Sequence, residues 1–91
     1  MTICAHLDSP RPPVQPDPPG GGSCGDCLRE GTRWVHLRLC LDCGHVGCCD
    51  NSPRRHATAH FHSSSHPVIA SAEPGETWRW CYVDELAAGP A

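Results

Sequence analysis

Two Cys-x-x-Cys pairs, Cys24-Gly-Asp-Cys27 and Cys40-Leu-Asp-Cys43, are the residues in this chain most suited to chemistry. Two thiolates at that spacing can meet one tetrahedral zinc ion at about 2.3 Å each. The second pair opens the run C-L-D-C-G-H-V-G-C-C-D, residues 40–50, and His56, His60, His62 and His66 follow it. C-x-x-C also serves as a redox dithiol, but on a thioredoxin-like βαβ unit, which this pattern does not contain. Zinc is the better reading. Spacing leaves two pairings open. The two C-x-x-C pairs could close one all-thiolate site and leave Cys48, His56, His60 and His66 for another. Alternatively Cys24 and Cys27 combine with Cys48 and His56, and Cys40 and Cys43 with His60 and His66. His56 and His60 lie four apart on one helical face and could serve one ion or two.

The same residues argue against catalysis. H-A-T-A-H, residues 56–60, has the histidine spacing of zinc proteases, but Ala57 stands where H-E-x-x-H carries its general base. Four protein ligands per zinc leave no position for a reactive water. The H-x-E and P-C-x-x-C pattern of zinc deaminases, the G-x-S-x-G elbow and phosphate loops are missing. Cys49 beside His45 or His56 lacks the oriented base a nucleophile needs, and reads as a bystander. His36, His45 and His62 read as exposed or as supports for ligands.

The chain must hold such sites with little apolar material. It has 91 residues, 38% of them hydrophobic, with 9 glycines and 10 prolines, so one thin-cored domain over 1–91 that needs a staple is expected. The eight cysteines supply it. The opening M-T-I-C-A-H-L-D-S-P-R-P-P has no basic or apolar export signal, so thiolate ligands in a reducing cytosol are expected rather than disulfides. No apolar run approaches the ~18 residues a membrane helix needs. The formal charge of −3, with every basic residue an arginine, speaks against nucleic acid. Seven ligand thiolates and three dications would shift that charge by only one further negative unit.

Residues 9–23 are a proline- and glycine-rich linker that builds neither helix nor sheet, and it separates Cys4 and His6 from the rest. Residues 32–39 alternate as a strand entering Cys40. Ser52 as N-cap and Pro53 at the first helical position predict a helix over 53–62. V-I-A-S and T-W-R-W-C-Y-V predict two strands joined at Pro74-Gly75, and 86–91 read as a flexible tail.

In order, C-x-x-C, W-V, C-x-x-C-G-H-V-x-C, H-x-x-x-H, H-P-V and W-C-Y resemble the UBP-type zinc finger, found beside ubiquitin hydrolases, in a histone deacetylase and in some ubiquitin ligases. The likeness runs over residues 4–84, and its C-C-D and W-x-W-C-Y forms are most similar to stand-alone bacterial members. It implies an α+β fold: a small zinc-stabilised domain with a short antiparallel sheet, one main helix and interleaved zinc sites. It further implies three Zn2+ ions, the first held by Cys24, Cys27, Cys48 and His56 and the second by Cys40, Cys43, His60 and His66. The third would be held by Cys4, His6, Cys81 and Asp84. Asp84 occupies the family's final cysteine position, and a carboxylate is an acceptable zinc ligand. The other reading of Cys81 and Asp84 is a buried strand residue and a solvated acid.

Ubiquitin-binding members take a free C-terminal Gly-Gly, with an arginine of a C-G-R motif on its carboxylate and aromatic rings around it. Trp80 and Tyr82 match the rings, but Cys49 and Asp50 follow Cys48 where the glycine and arginine belong. Two like charges about 4 Å apart at an effective dielectric near 20 repel by roughly 4 kcal/mol, which argues against ubiquitin-tail capture. The resemblance therefore implies a non-catalytic module for a partner protein or another peptide C-terminus. Trp34, Trp78, Trp80 and Tyr82 are its candidate surface, and Arg38, Arg54, Arg55 and Arg79 are candidate substitutes for the clamp. Neither nucleic acid nor membrane is an expected partner. The alternative is a thiol-based redox or metal sensor that releases zinc on oxidation, with Cys49 free.

Overall fold

A computed structural model describes residues 4–9 and 11–89; residues 10, 90 and 91, which belong to the predicted linker and tail, lie outside the described residues. The strands are β1 (Leu37–Cys40), β2 (Val46–Cys48), β3 (Val68–Ser71), β4 (Arg79–Cys81) and β5 (Leu86–Ala88). They form one antiparallel sheet in the order β2-β1-β3-β4-β5. The helices are α1 (Ala5–Asp8), α2 (Gly25–Glu30) and α3 (His56–Ser64). No described helix is long and apolar enough to cross a membrane.

Side chains alternate across a strand, so the register sorts residues onto two faces. Leu39 pairs with Val46 and Ala70, and Val68 with Cys81. Those residues share the face covered by α1 and α2, where buried Leu37, Val46 and Cys48 cluster with Cys24 and Cys27, and Val68 and Cys81 with Cys4 and Leu7. Cys40 pairs with Ile69 and Ile69 with Trp80 on the opposite face. There α3 crosses β2 and β1. Its approach depends on Gly47: a Cβ at that position would sit 2.6 Å from the Ala57 nitrogen and 2.8 Å from its Cα.

Several expectations change. The strand predicted from residue 32 starts at Leu37, because Trp34 packs on the core and the Val35 N–H donates to Ser52 Oγ at 2.8 Å. That bond removes Ser52 from the predicted cap. Helix α3 begins at His56 after Arg55 in the left-handed region (φ 48°), and the His56 N–H donates to Cys48 Sγ at 3.1 Å. The first turn thus finds a sulfur where a hydroxyl was expected. Cysteine caps the other helices too: Cys4 Sγ accepts from the Leu7 N–H and Cys24 Sγ from the Cys27 N–H. Sequence reasoning missed both short helices, although a cysteine at the first position of C-x-x-C has the geometry of an N-cap.

The predicted flexible tail contains β5, which pairs along β4. The linker has no named helix or strand, yet it is fastened to the domain. The Asp17 N–H donates to the Gly44 carbonyl at 2.8 Å and the Val46 N–H to the Asp17 carbonyl at 3.0 Å. Gly44 has φ 85°, and a Cβ there would overlap the Gln15 carbonyl oxygen.

Gly47→Ala should lower the stability of the zinc-loaded protein by about 1–3 kcal/mol through overpacking against the α3 backbone. Gly22→Ala, with open space around it, should stay within about 0.5 kcal/mol. Thermal melts of the two variants beside the native chain check this.

Candidate metal centres and an aromatic cleft

Three groups of four side chains converge so that their donor atoms lie within 4.8 Å of one another: Cys24, Cys27, Cys48 and His56; Cys40, Cys43, His60 and His66; and Cys4, His6, Cys81 and Asp84. The first two groups interleave along the chain, so the structure brings together the second of the pairings left open by spacing. Sheet geometry explains it. Cys40 and Cys48 lie on opposite faces of neighbouring strands, so Cys40 meets His60 and His66 beside α3 while Cys48 meets the C-x-x-C of α2. His56, at the start of α3, reaches past the sheet edge into the first group.

In that group His56 Nδ1 lies 3.4 Å from Cys24 Sγ, 3.3 Å from Cys27 Sγ and 3.4 Å from Cys48 Sγ, and Cys27 Sγ lies 3.8 Å from Cys48 Sγ. A tetrahedron with ordinary zinc bonds has edges of about 3.8 Å between sulfurs and about 3.6 Å between sulfur and nitrogen. The donor set therefore fits zinc in both chemistry and spacing. All three cysteines are fully buried and His56 is 8% exposed. Burial pushes the Cys24 thiol up to about 12, and the Cys48 and Cys27 charges add to the shift. A dication removes that penalty by supplying the countercharge. His56 Nε2 meets Glu30 Oε2 at 3.0 Å, and Arg54 Nε donates to Glu30 Oε1 at 2.9 Å. This places a carboxylate behind a candidate ligand, fixing its ring and raising its basicity. Sequence reasoning missed Glu30, which lies 26 residues before His56 in the chain and meets it only through the fold.

The second group is more open. Cys43 Sγ is 3.3 Å from His60 Nε2, and Cys40 Sγ is 3.5 Å from His66 Nδ1. Cys40 is buried and Cys43 exposed. Burial raises the Cys40 thiol, with the Cys43 charge adding to it, and burial lowers His60. His45 stacks on His60 with ring centroids 4.2 Å apart and meets Asp26 Oδ2 at 2.8 Å. This spare histidine therefore supports a candidate ligand. Burial lowers its pKa, against the charge of Asp17.

The third group ties α1 to the end of β4. Asp84 Oδ2 lies 2.8 Å from Cys4 Sγ and 3.0 Å from His6 Nδ1, and Cys81 Sγ is 3.5 Å from His6 Nδ1. The Cys4–His6 separation is 4.0 Å, so these edges are less even than those of the first group. The His6 and Asp84 side chains are 41% and 38% exposed. Contacts from Cys4 and then His6 hold the Asp84 carboxyl below its usual range. All eight cysteines are free thiols.

The sheet face opposite α1 and α2 carries a cleft of about 320 Å3 lined by Arg38, Cys49, Asp50, Asn51, Ile69, Trp78, Trp80 and Tyr82. The structure thus brings together three of the four predicted rings. Trp34 stands apart, packed on the core with Leu37 and Cys48 and lining a separate groove with Thr32 and Arg33. It is a core ring because the turn before β1 folds it under α2. Of the candidate arginines, only Arg38 faces the cleft. Arg54 pairs with Glu30, Arg55 sits at the N-cap position of α3 with its side chain making no capping bond, and Arg79 donates to the Leu7 and Gly89 carbonyls. Cys49 is buried, 3.5 Å from Ser52 Oγ. Burial opposes its ionisation, but the Ser52 hydroxyl and the His36 and Asn51 backbone lower its pKa overall. His36 and His62 are exposed.

Cysteine-capped helices packed on a small sheet around Cys/His clusters define a zinc finger. Residues 24–87 match the family model described as the Zn-finger in ubiquitin-hydrolases and other protein, and the chain belongs to that family. It is 39% identical over 71 residues to ubiquitin carboxyl-terminal hydrolase 45 of Mus musculus, covering 65% of this chain and 8% of that protein. It is 30% identical over 89 residues to the BRCA1-associated protein of Homo sapiens, covering 94% of this chain and 13% of that protein. The chain therefore spans about a tenth of these relatives. The solution NMR structure of protein RPA1320 from Rhodopseudomonas palustris matches with a TM-score of 0.79 and 49% identity, covering 98% of this chain and 84% of that one.

With one ion per cluster, native mass spectrometry of zinc-loaded protein should count three zincs, and Asp84→Ala should count two. Glu30→Gln should weaken zinc at the first cluster by about 10–100-fold, the usual cost of losing a carboxylate behind a ligating histidine. Competition against a chelator of known affinity reads that change.

Proposed function

We propose that this zinc finger is a non-catalytic interaction module of the cytosol. Three Zn2+ ions, held by Cys24, Cys27, Cys48 and His56, by Cys40, Cys43, His60 and His66, and by Cys4, His6, Cys81 and Asp84, staple the sheet. The cleft on its α3 face receives the C-terminal tail of a partner protein. Convergence of Trp78, Trp80 and Tyr82 on one open cleft carries this reading. These rings are half-buried, with apolar area left for a ligand to cover, and tryptophan and tyrosine are favoured interface anchors. Tyr82 is braced from behind by Phe61, stacked at 4.7 Å.

Every cluster has four protein donors, the mark of a structural zinc with no position for substrate. The eight free thiols suit a reducing compartment. Asp50 lines the cleft, so a tail whose only charge there is its terminal carboxylate would face a like charge. That favours a tail that also brings a compensating positive charge.

The zinc-loaded chain should bind members of a library of free C-terminal peptides. Trp80→Ala should weaken that binding by more than about 30-fold, the loss typical of an interface anchor, while keeping all its zinc. Isothermal titration calorimetry with zinc stoichiometry in parallel decides it; a library with no binder sensitive to Trp80→Ala would refute the reading.

A further inference from the structure

The aromatic cleft is also a charge-separated one. Arg38 and Asp50 line it together but do not pair with each other, whereas Arg11, Arg29 and Arg54 are each held in an ion pair with a carboxylate. The Arg38 guanidinium lies over Trp78, its carbon 4.5 Å from the ring centroid. Its Nη1 donates to the Leu37 carbonyl at 2.9 Å. Among the described residues it has no carboxylate partner, which leaves most of its five N–H donors unspent. Stacking on the ring holds the planar fork in place, so little freedom is lost when a carboxylate docks against it.

Asp50 is the opposite pole. It is exposed, and its Oδ1 accepts from Thr58 Oγ1 at 2.6 Å, which fixes the carboxylate through a neutral partner and leaves its charge uncompensated. Thr58 Oγ1 also lies 3.3 Å from the Tyr82 hydroxyl. Tyr82 stands where both charges are felt: burial raises its phenol, Asp50 adds to the rise and Arg38 opposes it. Ile69 and Trp80 line the same cleft.

We propose that the cleft selects peptide tails that carry a basic side chain close to a free terminal carboxylate, Arg38 taking the carboxylate and Asp50 the cation. This rests on the reading of the cleft as a tail-binding site and names its ligand chemistry. A neutral tail leaves Asp50 unanswered, and an acidic tail sets like charges against each other, the repulsive element by which a site rejects wrong partners. The aromatic rings supply area with no sequence preference; the two charges supply direction and choice.

The test titrates zinc-loaded full-length protein with labelled peptides of one sequence in four forms: lysine or glutamate two residues before the end, each with a free or an amidated C-terminus. The lysine free acid should bind about tenfold or more tighter than its amide and than the glutamate free acid, since each loses one charge-assisted contact. Asp50→Asn should abolish the preference for lysine and keep the preference for the free acid. Arg38→Gln should do the reverse, and Asp50→Arg should invert the order of lysine and glutamate. Native mass spectrometry confirms that each variant keeps its zinc; if Arg38→Gln does not, the Asp50 variants still test the cationic half. Equal binding of lysine and glutamate peptides, with binding lost in Trp80→Ala, would overturn this inference and leave the tail-binding reading standing. Amide bound as tightly as acid would overturn the Arg38 assignment. No form binding in a manner sensitive to Trp80→Ala would remove both.

Discussion

Three thiols and an imidazole share the first cluster with sulfur–nitrogen gaps of 3.3–3.4 Å and almost no access to water. Without an ion such packing is adverse, since buried thiols resist ionisation and buried thiolates repel. A dication reverses the sign, because the separations that make the thiolates repel are the edges of its coordination tetrahedron. The other elements follow from that site. Helix α2 starts on one of its sulfurs, Cys24, and carries a second, Cys27, while the third, Cys48, ends β2 and caps α3. In a chain whose largest fully buried side chains, among the described residues, are two valines and five cysteines, the metal centres take over the work of a hydrophobic core.

The sheet distributes the remaining chemistry. Because neighbouring positions on a strand face opposite ways, Cys81 points towards α1 and the third cluster while Trp80 and Tyr82 on either side of it line the cleft. One short strand thereby links a candidate metal centre to the aromatic cleft. A zinc at the third cluster would join residues 4 and 84, closing nearly the whole chain into a loop and holding β4 from behind. With partly exposed His6 and Asp84 side chains and a carboxylate among its donors, that cluster is a natural weak point of the scaffold.

The charges of the cleft are set by residues outside the three clusters. The relatives include ubiquitin hydrolases, of which this chain spans 8%, and membership in the family concerns the finger alone. The residues that set charge in the cleft belong to this chain: Asp50 on the loop after β2 and Arg38 on β1. Neither is needed to hold metal. Substituting either would change the charge of the cleft without removing a candidate metal ligand.

While the α+β class was implied by the resemblance to the UBP-type finger, linear spacing already indicated the ligand types and the zinc chemistry, because C-x-x-C pairs and i, i+4 histidines are local and their reach is set by backbone geometry. It could not choose between two pairings of the same ligands; that choice needed the register of β1 against β2, which puts Cys40 and Cys48 on opposite faces. The start of α3 was misplaced because Ser52, an ideal cap by type, is spent on the Val35 N–H, while a sulfur eight residues upstream caps the helix. Trp34 could not be told from Trp78 by composition, since both are tryptophans near a strand, and only packing separated core from cleft. Likewise four arginines were equivalent until the fold paired Arg54 with Glu30, turned Arg79 to backbone carbonyls, put Arg55 at the exposed start of α3 and left Arg38 facing the rings. Residue type set the chemistry available to this chain; which groups remain uncommitted is a property of the whole contact network, and that exists only once the chain is folded.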